Sequence, residues 1–216
     1  MGSVRNQDRH VKRQVATGRT PLWTEPLTGH LESALHVPDD ARDLHMAIPS
    51  DRPLHVGLIS DTHLSEHGRS VPQGARELLD GSDYILHAGD VACQRVLDEL
   101  GDIAPVFAVA GNVDPPQLRR TVPEWLTLRI GSWRIVLVHD AGERVGGRGH
   151  RATARYGSLH VLIFGHSHEP GVTTESGVLL VNPGSAVQRR RAPRHTVGRL
   201  DISNMLTAMI LPFTPA

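Results

Sequence analysis

Five short segments carry side chains able to hold a divalent cation: Asp61-Thr62-His63, Gly89-Asp90, Gly111-Asn112, His139-Asp140 and Gly165-His166-Ser167-His168. Within them Asp61, His63, Asp90, Asn112, His139, His166 and His168 offer oxygen or nitrogen donors. The set exceeds what one tetrahedral ion requires, whereas two octahedral-like ions sharing a carboxylate would use it efficiently, with Asp90 as the bridge. Imidazoles suit Mn, Fe, Co, Ni or Zn better than Ca or Mg, and the absence of thiolate argues against a structural zinc site. Each segment alone is a weak signal. Asp-x-His occurs as Asp8-Arg9-His10, Asp43-Leu44-His45 and Asp61-Thr62-His63, and only the last follows an apolar, strand-like run. A lone Asp or Asn at a strand end more often caps a turn. His10, His30, His36, His45, His150 and His195 read as structural or surface residues, and His87 reads either as a partner behind Asp90 or as a plain strand residue. The ordered set, not any member, points to metal.

Such donors must be positioned by regular elements. Apolar runs at residues 54–60, 84–87, 106–110 and 126–130 predict buried strands, and residues 73–79 and 94–100 repeat apolar side chains at spacings of three and four, as helices covering a sheet do. Gly131-Ser132 predicts a hairpin joining 126–130 to 133–138. A buried strand follows at 159–164, then hairpins over 172–181 around Ser176-Gly177 and over 196–211 around Ser203-Asn204. A βαβαβ start and a hairpin-rich end imply an α/β fold with two mixed sheets packed face to face and helices outside. In open α/β sheets the carboxyl ends of strands gather at one edge, so segments distant in sequence can converge there. Residues two apart in extended chain point the same way, which would present Asp61 with His63 and His166 with His168. Gly89, Gly111 and Gly165 are expected to let the backbone turn sharply beside the cluster.

The composition excludes several classes of function. The 216 residues suffice for one folded domain. Lys and Arg total 23 against 23 Asp and Glu, so no global field would draw the chain to nucleic acid or to an anionic membrane. No apolar run approaches the roughly 18 residues that span a bilayer. The single cysteine, Cys93, cannot form an intramolecular disulfide, which fits a reducing, cytoplasmic setting. Residues 1–53 lack a sustained apolar pattern and carry Pro21, Pro26, Pro38, Pro49 and Pro53; they read as a mostly disordered extension, with room for a short helix at 31–35 or for a translation start at Met46. The folded domain is expected over 54–213.

The motifs resemble the calcineurin-like metallophosphoesterase superfamily, whose pattern runs D-x-H, GD, GN-H-D/E and GHxH. Asp61-Thr62-His63, Gly89-Asp90, Gly111-Asn112-Val113-Asp114, His139 and Gly165-His166-Ser167-His168 align in that order, and Asn182-Pro183-Gly184-Ser185 with Ala192-Pro193-Arg194 resembles the closing signature of its YfcE-like branch. The resemblance implies a four-layer α/β/β/α sandwich. It implies one ion held by Asp61, His63, Asp90 and His168 and another by Asp90, Asn112, His139 and His166, with manganese favoured. It also implies hydrolysis of a small phosphoester, most simply a phosphodiester, by attack of a metal-bridging hydroxide. In these roles Asp61, Asp90, Asn112 and His139 are the catalytic set, and Asn112 would also bind substrate. Beside the closing signature, Arg189, Arg190 and Arg191 read either as a solvated loop or as a substrate-binding group, one guanidinium meeting the phosphate or second ester group of the substrate. Two departures stand out. Val113 replaces the histidine that many members carry after the Asn, so leaving groups that need no proton should be favoured. Asp140 replaces the usual glycine after His139, where it could join the metal shell, orient His139 or narrow the pocket. The same branch includes a retromer subunit with a degraded metal site, so a non-catalytic scaffold is the alternative. Nucleases of the Mre type carry long added segments for DNA, and with a balanced charge and few aromatic residues such a role is not expected here. No membrane or nucleic-acid partner is expected, and homo-oligomerisation is left open.

Overall fold

The computed structural model describes the backbone of residues 44–48 together with residues 52–142 and 146–215. In chain order the elements are β1 (Leu44–Ile48), β2 (Leu54–Ile59), α1 (Gln73–Leu79), β3 (Tyr84–His87), α2 (Gln94–Gly101), β4 (Val106–Ala108), α3 (Pro116–Arg119), β5 (Trp125–Ile130), β6 (Trp133–Val138), α4 (Arg148–Tyr156), β7 (Val161–Ile163), β8 (Gly171–Glu175), β9 (Val178–Asn182), β10 (His195–Ile202) and β11 (Leu206–Phe213). They form a six-stranded sheet in the order β1-β5-β6-β7-β9-β8 and a five-stranded sheet in the order β11-β10-β2-β3-β4. Both are mixed: β2, β3 and β4 run parallel, β6, β7 and β9 run parallel, and the hairpins β5-β6, β8-β9 and β10-β11 are antiparallel.

Alternation along the strands separates the layers. Val56 and Leu58 of β2, Leu86 of β3, Ile135 and Leu137 of β6, and Val161 and Ile163 of β7 meet in one buried cluster between the sheets. The intervening residues face outward. Ile59 and Ile85 pack beneath α1 and α2 against Ala75, Leu79, Val96 and Leu100, whereas Val136, Val138 and Leu162 pack beneath α4 against Ala152 and Tyr156. Each Leu or Ile buried in this way stabilises the fold by about 1.5–3 kcal/mol, and the outcome is the four-layer α/β/β/α order that the motifs implied. The β8-β9 turn takes positive φ at both Ser176 (51°) and Gly177 (78°), as a two-residue hairpin loop requires.

Three elements were not expected. α4 buries Gly149, Ala152 and Tyr156, a stripe with little hydrophobic signal, and α3 is a single short turn begun by Pro116. β1 falls inside the segment read as mostly disordered; it pairs in parallel with β5, Leu44 opposite Leu126 through Ile48 opposite Ile130. The possible helix at 31–35 lies outside the described residues.

Candidate metal centre

The seven donors gather at the carboxyl ends of strands from both sheets. Asp61 and His63 follow β2, Asp90 follows β3, and Asn112 follows β4 in one sheet; His139 follows β6, and His166 and His168 follow β7 in the other. They sort into two groups. In the first, His168 Nε2 lies 3.2 Å from Asp61 Oδ1 and 3.3 Å from His63 Nε2, and the two rings stack. In the second, Asn112 Oδ1 lies 3.0 Å from both His139 Nε2 and His166 Nδ1, which are 3.3 Å apart. Asp90 Oδ2 stands between the groups, 3.4 Å from His63 Nε2 and 3.3 Å from His139 Nε2. Asp61, Asp90, His139 and His168 are buried, His63 and His166 half-buried, and Asn112 exposed, so the cluster opens to solvent on the Asn112 side.

Neighbouring groups fix which atoms face inward. His139 Nδ1 donates to Ala88 O at 2.8 Å and His168 Nδ1 donates to Gln188 O, which leaves the Nε2 lone pair of each ring turned into the cluster. Asp61 Oδ2 accepts from Ser60 Oγ at 2.7 Å and from the His166 amide at 3.1 Å, while its buried Oδ1 has no hydrogen-bond partner. Asp90 Oδ1 accepts from the Val113 amide at 3.0 Å. Inward-facing lone pairs on imidazole and carboxylate, a few ångströms apart and with an orphaned buried oxygen among them, repel one another unless a cation lies between. Two overlapping triads, Asp61-His63-His168 and Asp61-Asp90-His139, bring ligand atoms within 4.8 Å of one another. The residues therefore fit metal.

Burial and neighbouring charges set the ionisation of the cluster. Burial works to raise the Asp90 carboxyl, but His139 and the Val113 amide outweigh it and bring it to about 2, so Asp90 is an anion across the ordinary pH range. His139 is held above its usual value against the effect of burial by Asp90 and the Ala88 carbonyl. Burial, reinforced by the nearby charge of Arg190, depresses His168. Behind the cluster His87 is wholly buried and burial drives it down to about 3. Its Nε2 lies 3.1 Å from Thr62 Oγ1, whose hydroxyl donates to Val91 O, so Nε2 carries the proton and Nδ1 is left without a partner. His87 is the last residue of β3, and its partner is Thr62, between the donors Asp61 and His63, and not Asp90.

The local backbone differs from expectation in an informative way. Asp61, His63, Asp90, His166 and His168 all have left-handed backbones, with φ from 48° to 67°. The paired ligands thus converge through strained turns and not through the alternation of extended chain. Gly89 has the positive φ (83°) foreseen for a turn, but Gly111 and Gly165 are required by close approach: a β-carbon on Gly111 would fall 2.1 Å from Asp90 Oδ1, and one on Gly165 2.6 Å from Asp61 Oδ2.

Other residues brace the site. Asp114 is buried and ties two ligand loops together, Oδ1 accepting from Ala92 N at 2.6 Å and Oδ2 from Gly111 N at 2.7 Å. The sequence pattern contained Asp114 but assigned it no task; its burial three residues from Gly111 is visible only in the fold. Asn182 donates to Gly165 O and Ser167 Oγ, and Ser185 Oγ donates to Asp61 O. The closing signature is therefore the brace of the ligand turns. Asp140 is exposed and turns back to accept from the Gly142 amide at 2.7 Å. Among the three arginines, Arg189 donates to Ala192 O, Arg190 reaches His166 O at 3.5 Å, and Arg191 is exposed. His150 is exposed, and His195 packs against Phe213, in keeping with structural roles. No helix among the described residues is long and apolar enough to cross a membrane.

Residues 54–205 match the calcineurin-like phosphoesterase superfamily domain. The chain belongs to this superfamily. It is 35% identical over 158 residues to a probable metallophosphoesterase of Methanocaldococcus jannaschii, an alignment that covers 73% of this chain and 80% of that protein. It is 22% identical over 144 residues to a phosphodiesterase of the same organism, covering 61% and 83% respectively. Its fold is similar to that of Vacuolar Protein Sorting 29 from Cryptosporidium parvum, with a TM-score of 0.62 at 23% identity, covering 76% of this chain and all of that one. At the level of the superfamily the chain is a metallophosphoesterase, and all seven donors fall within the matched residues.

Proposed function

We propose that this chain is a phosphodiesterase that works with two divalent cations. The observation that carries the reading is the position of Asp90 Oδ2, within 3.4 Å of imidazoles that come from opposite sheets, beside the unpartnered Asp61 Oδ1. Asp61, His63, Asp90 and His168 would hold one ion, and Asp90, Asn112, His139 and His166 the other. Manganese is favoured, with Fe, Zn, Ni and Co suited to the same donors. Bound ions would supply Lewis acidity, lowering the pKa of water and neutralising phosphoryl oxygens.

The protein's own groups set the remaining conditions. Hydrogen bonds from His139 and His168 to backbone carbonyls hold each ring in the tautomer a cation needs. Asn112 turns its Oδ1 to His139 and His166, which frees its exposed amide NH2 to donate to a phosphoryl oxygen. Val113, 45% exposed beside it, cannot give a proton to a departing alkoxide. Aryl phosphodiesters, whose leaving groups need none, are therefore the expected substrates, in line with the phosphodiesterase among the relatives. A non-catalytic scaffold of the same fold would not need the complete donor set.

The test measures bound metal and compares hydrolysis of bis(p-nitrophenyl) phosphate with that of p-nitrophenyl phosphate. We expect metal-dependent cleavage that favours the diester, and Asp90→Asn to lose metal and more than roughly 100-fold of the rate. Purified protein that takes up no metal and cleaves neither ester would establish the scaffold reading instead.

A further inference from the structure

The chain from Ser185 to Arg190 is wound behind the imidazole of His168. Ser185 Oγ donates to Asp61 O at 2.7 Å and accepts from the Gln188 amide at 2.8 Å, and Gln188 O receives the Nδ1 proton of His168. One turn thus supports both a carboxylate ligand and an imidazole ligand from behind. It ends at Arg190, a non-glycine residue with a left-handed φ of 46°. Such a backbone persists only where the surroundings impose it, and it is typical of functional sites.

The three consecutive arginines are engaged differently. Arg189 donates to Ala192 O at 2.7 Å and closes the turn. Arg191 is exposed and follows the turn. Arg190 is also exposed, but its guanidinium turns back to the ligand loop after β7, where Nη1 meets His166 O at 3.5 Å, the limit of a hydrogen bond. A planar cation with five donors is therefore held beside the ligand residue His166, with its charge near a second, His168, and this contact is too long to satisfy it.

We propose that Arg190 is a substrate-binding residue: its guanidinium leaves His166 O to form a paired hydrogen bond with the two unesterified oxygens of the phosphate seated at the donor cluster. The proposal rests on the phosphodiesterase reading and selects one residue from the three. The ligand class is a phosphate with two free oxygens on one face, which a phosphodiester and inorganic phosphate share. Arginine matches this geometry because its fork is planar, whereas lysine offers only a point charge.

Arg190→Gly removes the side chain and keeps the left-handed backbone free of strain. The experiment measures its kinetics on bis(p-nitrophenyl) phosphate, its bound metal, and its affinity for inorganic phosphate by calorimetry on the metal-loaded protein. We expect KM to rise and phosphate affinity to fall by roughly 10-fold or more, with metal content unchanged and kcat moved far less. Arg190→Lys should recover only part of the loss. Arg189→Ala should instead lower the melting temperature, since it opens the turn. Unchanged KM and phosphate affinity in a metal-replete Arg190→Gly protein would overturn the proposal. Should the wild type cleave no ester, the phosphodiesterase reading fails by itself, and the phosphate titration still decides the role of Arg190.

Discussion

His87 sits wholly buried behind the ligand turns, neutral and hydrogen-bonded to Thr62. Burial holds its folded-state pKa at about 3, against about 6.5 in an unfolded chain. Between those values the unfolded state binds a proton that the folded state refuses, so this residue's contribution is complete above about pH 6.5 and declines as the pH falls toward 3. The loss approaches about 1.4 kcal/mol per pH unit. Denaturant melts from pH 7 to 4 should show this slope in the wild type and a shallower one in His87→Gln; equal slopes would mean that other groups govern acid sensitivity. At this scale the donor types were legible in the sequence, because Asp, Asn and His after apolar runs are visible in one dimension. Their means of convergence was not. Alternation in extended chain and left-handed turns can present the same pair of side chains, and only the backbone angles of Asp61, His63, His166 and His168 distinguish them.

Loops after β3 and β4 are held together by one carboxylate. Asp114 accepts from Ala92 N on one loop and Gly111 N on the other, and charged acceptors of this kind contribute about 1.5–3 kcal/mol each. Asp114→Ala should therefore cost about 2–4 kcal/mol in chemical denaturation and weaken metal retention, whereas Asp114→Asn, which keeps one acceptor oxygen, should lose about half as much. A neutral result for the alanine variant would mean that the loops are ordered by their glycines alone. Elements with continuous apolar runs, such as β2, β3 and β6, were legible because burial on both faces leaves an unbroken signal. α4 was not, since its buried stripe is built from Gly149, Ala152 and Tyr156 and most of its other positions are Arg or His. β1 is five residues long and draws its place from pairing with β5, a partner about eighty positions away.

On the scale of the molecule, the centre straddles the seam of the sandwich. Asp61, His63, Asp90 and Asn112 belong to one sheet and His139, His166 and His168 to the other. Cations bound there would join the two halves as well as serve chemistry, and ligand binding at 100 times its dissociation constant stabilises a fold by about 2.7 kcal/mol. Treatment with a chelator should lower the melting temperature by about 5–10 °C, reversed by added manganese. An identical melt with and without metal would place the ions outside the seam.

β1 has a different sort of influence. By running beside β5 it takes over one margin of the larger sheet, so that the outermost strand there is five residues long instead of the six of β5. A longer outermost strand adheres more readily to its own kind, because any extended chain can continue the ladder and a short one offers it fewer groups. Protein starting at residue 52 should therefore scatter light increasingly with concentration, while protein starting at residue 40 stays dispersed; if both behave alike, the strand is ornament and not a hem against self-adhesion.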